Sequence, residues 1–171
     1  MSETLPVTII CDSREPEGGG WQPFFSCPTV RAKLDTGDYS LAGAEHLVSI
    51  ERKSLQDLLS SLTHERDRFE RELARGKGLD FFCVILEASA ADVRAGRFGK
   101  YGQGCNPRAI WESVCAFSVR YAPFLFANDR ITGAKLCESL LCKWVRERCK
   151  IVEAISKASR LMETTRTAGI R

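Results

Sequence analysis

Apolar and polar residues alternate along the first part of the chain in segments that predict short strands. Residues 7–11 form an apolar, β-branched run that predicts a buried strand, and residues 29–34 alternate as expected for a second strand. Residues 39–42 and 47–51 predict two more strands, joined around a glycine as an antiparallel hairpin. This part of the chain is therefore expected to supply four strands of one sheet.

Helical periodicity begins directly after the hairpin. One amphipathic helix is predicted, which begins at a capping box of Ser54 and Asp57 and ends at Gly76. Six apolar residues form its buried stripe: Leu55, Leu58, Leu59, Leu62, Phe69 and Leu73. A central strand is predicted at residues 81–86, followed by two helices at residues 89–96 and 107–120. A short strand at residues 124–126 and a long helix at about 130–150 complete the order. This order predicts an α/β fold, with a mixed sheet and helices on both of its faces.

The charge of the chain is small but unevenly distributed. The net charge of the 171 residues is +3, yet residues 129–171 contain ten Lys or Arg and five Asp or Glu. A basic C-terminal segment suits a polyanionic partner, although the same charges suit an ordinary solvated helix face. We expect residues 1–150 to form the functional domain and residues 151–171 to form a basic helical or frayed tail.

The cysteines and the apolar runs exclude several classes of protein. None of the eight cysteines has the C-x-x-C spacing of a zinc or redox site, so most are expected to be small buried residues in a reducing compartment. No apolar run approaches the roughly 20 residues that span a bilayer. The N-terminus lacks a signal-peptide pattern. We expect an intracellular protein, cytoplasmic or nucleoid-associated, with no membrane contact.

Charged residues lie at the ends of the predicted hairpin strands. Asp38 begins one strand and Glu51 ends the next, so the hairpin brings the two carboxylates side by side. Lys53 follows Glu51 by two residues and leaves the same face of the strand. Mg²⁺ prefers one or two carboxylates together with water and phosphate, and a lysine near such a metal can stabilise an attacking hydroxide. Asp12, at the end of the first strand, can point to the same place, but surface charges at strand ends would give the same pattern.

The residues around these positions decide between the two interpretations. The chain reads D-S-R-E at residues 12–15, G-D-Y at residues 37–39 and E-R-K-S-L-Q-D at residues 51–57. Over about residues 6–127 it resembles the XPF-type structure-specific nuclease family, whose motifs are D-x-R-E, G-D-Y and E-R-K-x-x-x-D. The three motifs together are much more specific than any one of them.

This resemblance implies a restriction-endonuclease-like fold, a three-layer α/β/α core with a mixed central sheet. It also implies a Mg²⁺-dependent endonuclease, in which Mn²⁺ can substitute, that cuts branched, flapped or forked DNA. The metal ligands would be Asp38, Glu51 and Asp12, and Lys53 would act on the attacking water. The other expected residues are Arg52 and Asp57 as catalytic groups, and Arg14, Glu15, Arg66 and Arg68 as supporting or DNA-binding groups.

Several of these residues have an alternative role. Asp57 can cap its helix as well as support the site. Arg14 and Arg52 can simply balance the carboxylates, and the arginines after residue 65 can face solvent or the DNA backbone.

Many members of the family carry a tandem helix-hairpin-helix module, which is expected to be absent here. We therefore expect a free-standing, compact prokaryotic or phage-like member, either a homodimer or bound to an unknown protein. The alternative is a catalytically silent DNA-binding or assembly subunit. The presence of Asp38, Glu51 and Lys53 argues against it.

Overall fold

A six-stranded mixed sheet forms the centre of the protein in the computed structural model. The model describes the backbone of residues 7–16 and 18–168 and the side chains up to residue 160. The strands, in sheet order, are β2 (Thr29–Ala32), β1 (Ile9–Asp12), β3 (Tyr39–Leu41), β4 (Val48–Ser54), β5 (Phe81–Glu87) and β6 (Phe124–Phe126). The short strand β3 runs antiparallel to both β1 and β4, whereas the other neighbours are parallel. The predicted hairpin is confirmed.

Helices cover both faces of the sheet, which confirms the predicted three layers. The helices are α1 (Leu55–Leu62), α2 (Arg66–Gly76), α3 (Ala90–Ala95), α4 (Pro107–Arg120) and α5 (Arg130–Ala168), and short 3-10 turns lie at Gln22–Phe24 and Gly99–Gly102. Helices α1 to α4 enclose one apolar core with β5, centred on Phe69, Leu86 and Phe117. Helix α5 encloses the second core, in which Trp21 and Tyr39 are fully buried.

The prediction of a single helix after the hairpin is wrong, because the chain forms α1 and α2 with a break between them. The hydroxyl of Thr63 donates to the carbonyl of Leu59 at 2.7 Å and ends α1. The apolar stripe also lapses here, since the next positions in helical register are occupied by Glu65 and Arg66. Because of this break, α2 packs on the sheet as a separate helix.

Strand β4 extends three residues beyond its predicted end and passes directly into α1. Ser54 is both the last residue of β4 and the N-cap of α1, where its side chain accepts a hydrogen bond from the backbone N–H of Asp57. Glu51 and Lys53 pair in register with Val84 and Leu86 of β5. Lys53 is therefore held by a central strand rather than by a loop.

Helix α5 is longer than predicted. Its 39 residues span about 58 Å at 1.5 Å per residue and pass residue 150 without a break. Ala134, Cys137 and Leu141 are buried against the sheet, whereas Val152 and Ile155 are exposed. The division into a domain and a tail at residue 150 stays a prediction, and the side chains of residues 161–171 lie outside the described part of the chain.

The cysteines are less buried than predicted. Cys11, Cys83 and Cys137 are buried, Cys115 and Cys149 are exposed, and the other three are intermediate. The exposed pair lies on the outer faces of long helices, where periodicity places one face in water. No helix in the described residues has the length and apolarity needed to cross a bilayer.

Candidate active site

Two carboxylates lie together where the β3–β4 hairpin meets the sheet. The backbone N–H of Asp38 donates to the carbonyl of Ile50 at 2.9 Å, and its carboxylate accepts the backbone N–H of Arg52 at 2.8 Å. Gly37 makes this approach possible, because it has a φ of 76° and a Cβ there would lie 2.2 Å from the hydroxyl of Ser49. The glycine before Asp38 is thus required by the backbone geometry.

Lys53 is ion-paired to Glu51 on the same face of β4. The distance between Lys53 Nζ and Glu51 Oε1 is 2.6 Å, and the ammonium group lies 4.7 Å from the ring centre of Phe69 on α2. Burial opposes the charge of the lysine, but the charge and hydrogen bond of Glu51 raise the pKa of Lys53 above its usual value. Lys53 is therefore a fixed, protonated cation beside the carboxylates.

The carboxylates are held in an environment that disfavours their charge. Burial, together with the charge of Glu51, raises the pKa of Asp38 well above its usual value. Burial also raises the pKa of Glu51 to about 7, although Lys53 acts in the opposite direction. Glu51 is 2% exposed, and its second oxygen, Oε2, is buried with no hydrogen-bond partner in the described residues.

The donor set at this pair fits Mg²⁺ or Mn²⁺. Mg²⁺ binds one or two carboxylates and keeps several waters, and an unpartnered buried carboxylate oxygen is the kind of group that a cation satisfies. Within residues 7–16 and 18–160, no group of three or more His, Cys, Asp or Glu side chains could hold a metal ion. Asp38 and Glu51 would therefore leave most of the coordination positions to water and phosphate.

Asp12 is close in the fold but its carboxylate is already fully used. Its Oδ1 accepts the backbone N–H and Nε of Arg14, both at 2.7 Å, and its Oδ2 accepts Nη2 of Arg14 at 3.0 Å and the backbone N–H of Leu34 at 2.6 Å. Burial opposes ionisation, but these hydrogen bonds lower the pKa of Asp12 below its usual value. The structure does not bring its side chain into the carboxylate pair, so a metal-ligand role stays a prediction.

The guanidinium of Arg52 lies on the opposite face of β4 from Glu51 and Lys53. It makes a bidentate contact to Glu87 at 2.8 and 3.1 Å, and it reaches Glu15 at 3.3 Å. The indole N–H of Trp21 also donates to Glu87, at 2.6 Å. Arg52 thus contributes only its backbone N–H to the carboxylate pair, and Glu15 reaches the pair only through long-range charge.

Asp57 lies at the start of α1 in the predicted capping box. Its backbone N–H donates to the hydroxyl of Ser54 at 3.1 Å, and that hydroxyl donates to Oδ2 of Asp57 at 2.6 Å. The side chain of Asp57 is exposed. The structure therefore shows its capping role directly, and a catalytic role stays a prediction.

The two predicted arginines of α2 differ in their surroundings. Arg66 contacts Glu70 at 3.1 Å and Ser113 at 3.2 Å, which directs it to α4. Arg68 pairs with Glu65 and is 65% exposed. Arg68 is therefore the more exposed of the two to a ligand from solvent.

Glu72, a half-buried carboxylate on α2, is not among the residues predicted from the sequence. Its charge acts on Glu51, Lys53 and Arg14. The only signal in the sequence is its position three residues after Phe69, on the edge of the buried stripe. That spacing does not show which neighbour the edge faces.

The carboxylate pair and the lysine lie within a recognisable domain. A family model described as the ERCC4 domain matches residues 11–140, which are 130 of the 171 residues. The chain belongs to the ERCC4 domain family. The resemblance to XPF-type nucleases is thereby confirmed, and no curated protein is significantly similar in sequence to this chain.

Solved structures share the fold of this ERCC4 domain. XPF from Aeropyrum pernix is 20% identical, with a TM-score of 0.61 over 78% of this chain and 59% of that one. XPF from the same organism in complex with DNA is 18% identical, with a TM-score of 0.57 over 83% of this chain and 66% of that one. The chain thus spans less than two thirds of either structure. The likeness confirms the predicted restriction-endonuclease-like fold.

Proposed function

We propose that this ERCC4-domain protein is a metal-dependent DNA endonuclease, with Asp38 and Glu51 as the ligands of Mg²⁺ or Mn²⁺. The observation that carries the proposal is the buried, unpartnered Oε2 of Glu51 beside the carboxylate of Asp38. A bound Mg²⁺ supplies Lewis-acid stabilisation of a phosphodiester and lowers the pKa of a coordinated water. An ERCC4 domain is a suitable setting for this chemistry.

The residues around the ligands have separable tasks in this proposal. Lys53 holds a positive charge 2.6 Å from Glu51 and stabilises negative charge that develops on the attacking oxygen and the phosphate. The Phe69 ring beside its ammonium group excludes water and fixes the direction of the side chain. Asp12 and Arg14 hold the chain before Asp38 by their hydrogen bonds to Leu34. The carboxylate pair is thus oriented before a metal arrives.

Exposed arginines beside the pair are suited to the DNA backbone. The side chains of Arg14 and Arg68 are 64% and 65% exposed. The charge of Asp38 helps to raise the pKa of Arg14, and the charge of Glu51 helps to raise the pKa of Arg68. Phosphate contacts of this kind position DNA without reading its sequence. We propose branched, flapped or forked DNA as the substrate class, in line with the family.

Cleavage assays test this function directly. Labelled single-strand, duplex, flap, fork and four-way DNA are incubated with Mg²⁺, Mn²⁺, Ca²⁺ or EDTA. We expect Mg²⁺- or Mn²⁺-dependent cleavage that Asp38→Asn and Glu51→Gln each abolish, while DNA binding in EDTA persists. Asp35→Asn is the matched control, because it removes an exposed carboxylate three residues before Asp38 and should cut at the wild-type rate.

Two results would contradict the proposal. Cutting by Asp38→Asn or Glu51→Gln at more than a tenth of the wild-type rate would remove the assigned ligands. Tight DNA binding without cleavage under every metal would instead identify a silent binding or assembly subunit.

A further inference from the structure

Helix α2 has two different flanks on either side of the residues that it buries. Phe69 and Leu73 are 1% and 0% exposed and form the stripe that packs on the sheet. On one flank, Arg66 donates to the hydroxyl of Ser113 on α4 at 3.2 Å, and Glu70 accepts from the hydroxyl of Tyr121, directly after α4, at 3.1 Å. This flank is therefore closed by a neighbouring helix.

Glu72 lies on the other flank. A separation of three residues turns about 60° around a helix axis, so Glu72 lies beside Phe69 on the side away from Arg66 and Glu70. Helix α4 covers β6, where Trp111 stacks on Phe126 at 6.0 Å. The flank that carries Glu72 therefore faces β4 and β3, the strands that present the carboxylate pair.

Charge interactions also indicate that Glu72 faces the carboxylate pair. Burial is the largest cause of the raised pKa of Glu51, and the charge of Glu72 raises that pKa further. The same charge helps to raise the pKa values of Lys53 and Arg14. Glu72 thus lies within electrostatic range of groups on both β4 and the segment after β1.

The carboxylate of Glu72 has no structural task that explains its position. Within residues 7–16 and 18–160 it makes no hydrogen bond and no ion pair, and its neighbour Arg68 pairs with Glu65 instead. The charge of the half-buried Glu72 opposes ionisation of Glu51, whose Oε2 is unpartnered, and a cation near both carboxylates would relieve that repulsion. The unpartnered oxygen of Glu51 and the nearby charge of Glu72 therefore favour one cation between them.

We propose that Glu72 is a positioning residue of the active site, which accepts a hydrogen bond from water bound to the metal at Asp38 and Glu51. This inference rests on the proposed function. Mg²⁺ keeps several of its waters when it binds to proteins, and each of those waters needs an acceptor. Partners of this outer kind orient the metal site, and their loss typically weakens metal binding tenfold to a hundredfold.

Metal binding without DNA tests the proposal. Titration calorimetry with Mn²⁺ and Ca²⁺ compares the wild type, Glu72→Gln and Asp67→Asn. Asp67 is the matched control, because it lies on the same helix but is exposed. We expect Glu72→Gln to raise the metal dissociation constant about tenfold, whereas Asp67→Asn should stay within about twofold of the wild type.

Cleavage and stability measurements complete the test. Glu72→Gln should cut poorly at low Mg²⁺ and recover most of its maximal rate when Mg²⁺ is raised about tenfold. Its melting temperature in EDTA should equal or exceed that of the wild type, because the change removes a repulsive charge.

Unchanged metal affinity in Glu72→Gln, with normal binding in the wild type, would overturn this inference and leave the proposed function intact. A wild type that binds neither Mn²⁺ nor Ca²⁺ would overturn both.

Discussion

Replacement of Arg52 should mainly destabilise the fold rather than remove a catalytic group. Its guanidinium bridges Glu87 and Glu15 on the face of β4 that is turned away from Glu51. The side chains of Arg52, Glu87 and Glu15 are 14%, 11% and 12% exposed, so little water screens their charges. Arg52→Ala leaves two almost buried carboxylates without their shared cation.

The expected magnitude follows from this burial. Removal of one partner from a buried ion pair costs about 3–5 kcal/mol of unfolding free energy, because the remaining charge is uncompensated. For a chain of this length, 1 kcal/mol corresponds to about 2–4 °C in melting temperature. Arg52→Ala should therefore lower the melting temperature by about 6–20 °C. The guanidinium also lies 5.9 Å from the ring centre of Trp21, and loss of that contact acts in the same direction.

Thermal and urea unfolding in EDTA measure this effect without interference from metal. Arg68→Ala is the matched control, since it removes an arginine from a pair whose side chains are 65% and 43% exposed and should cost no more than about 1 kcal/mol. Arg52→Lys keeps the charge but loses the bidentate contact to Glu87, so it should lie between the wild type and Arg52→Ala. At a temperature where Arg52→Ala is folded, its affinity for Mn²⁺ should be close to that of the wild type.

Two results would refute this reasoning. A loss below about 1 kcal/mol in Arg52→Ala would mean that the bridge contributes no more than a surface pair. Wild-type stability combined with abolished cleavage would place Arg52 among the catalytic residues, as the family resemblance implies.

Two further predictions concern catalysis and DNA binding. Lys53→Met should slow single-turnover cleavage about a hundredfold or more while DNA affinity persists, because it removes one electrostatic stabiliser of the transition state; an unchanged rate would make Lys53 structural. Truncation after residue 150 should reduce the slope of log affinity against log salt by about one for each lost phosphate contact, measured by fluorescence anisotropy. An unchanged slope would show that the segment after residue 150 does not touch DNA.

The carboxylate pair was predictable because its geometry is local. A hairpin of fixed register puts Asp38 beside Glu51, and the two-residue period of a strand puts Lys53 on the face of Glu51. These relations need only the strand assignments and the glycine turn. The motifs then separated this cluster from ordinary charges at strand ends.

The same period predicts that Arg52 faces away from Glu51 and Lys53. The family motif groups the three residues together, and the expectation of a catalytic Arg52 followed the motif instead of the strand geometry. The contacts of Arg52 with Glu87 and Glu15 show that the alternation is maintained. The catalytic role of Arg52 that the motif implies stays a prediction, because adjacent residues of a β-strand point to opposite faces of the sheet.

The position of Glu72 relative to the site was not predictable, because it depends on packing between distant segments, whereas the break before α2 leaves a local signal in the lapse of the apolar stripe at Glu65 and Arg66. The position of α2 is set by Phe69, whose ring contacts Phe117 of α4 and Phe124 of β6. Nothing near residue 72 in the sequence identifies those partners. The role of a residue at the edge of a helix can be inferred only when the neighbours of that helix are known.

The alternation along β4 predicts that an insertion within the E-R-K motif would disrupt the site. Glu51 and Lys53 meet the carboxylate of Asp38 on one face, Arg52 ties the strand to Glu87 on the other, and the backbone N–H of Arg52 holds Asp38 in place. One added residue after Glu51 would turn Lys53 to the face of Trp21 and bring an arginine beside the carboxylate pair. Three consecutive residues thus supply a proposed metal ligand, a structural anchor and a cation, and the period of the strand keeps the anchor away from the carboxylate pair.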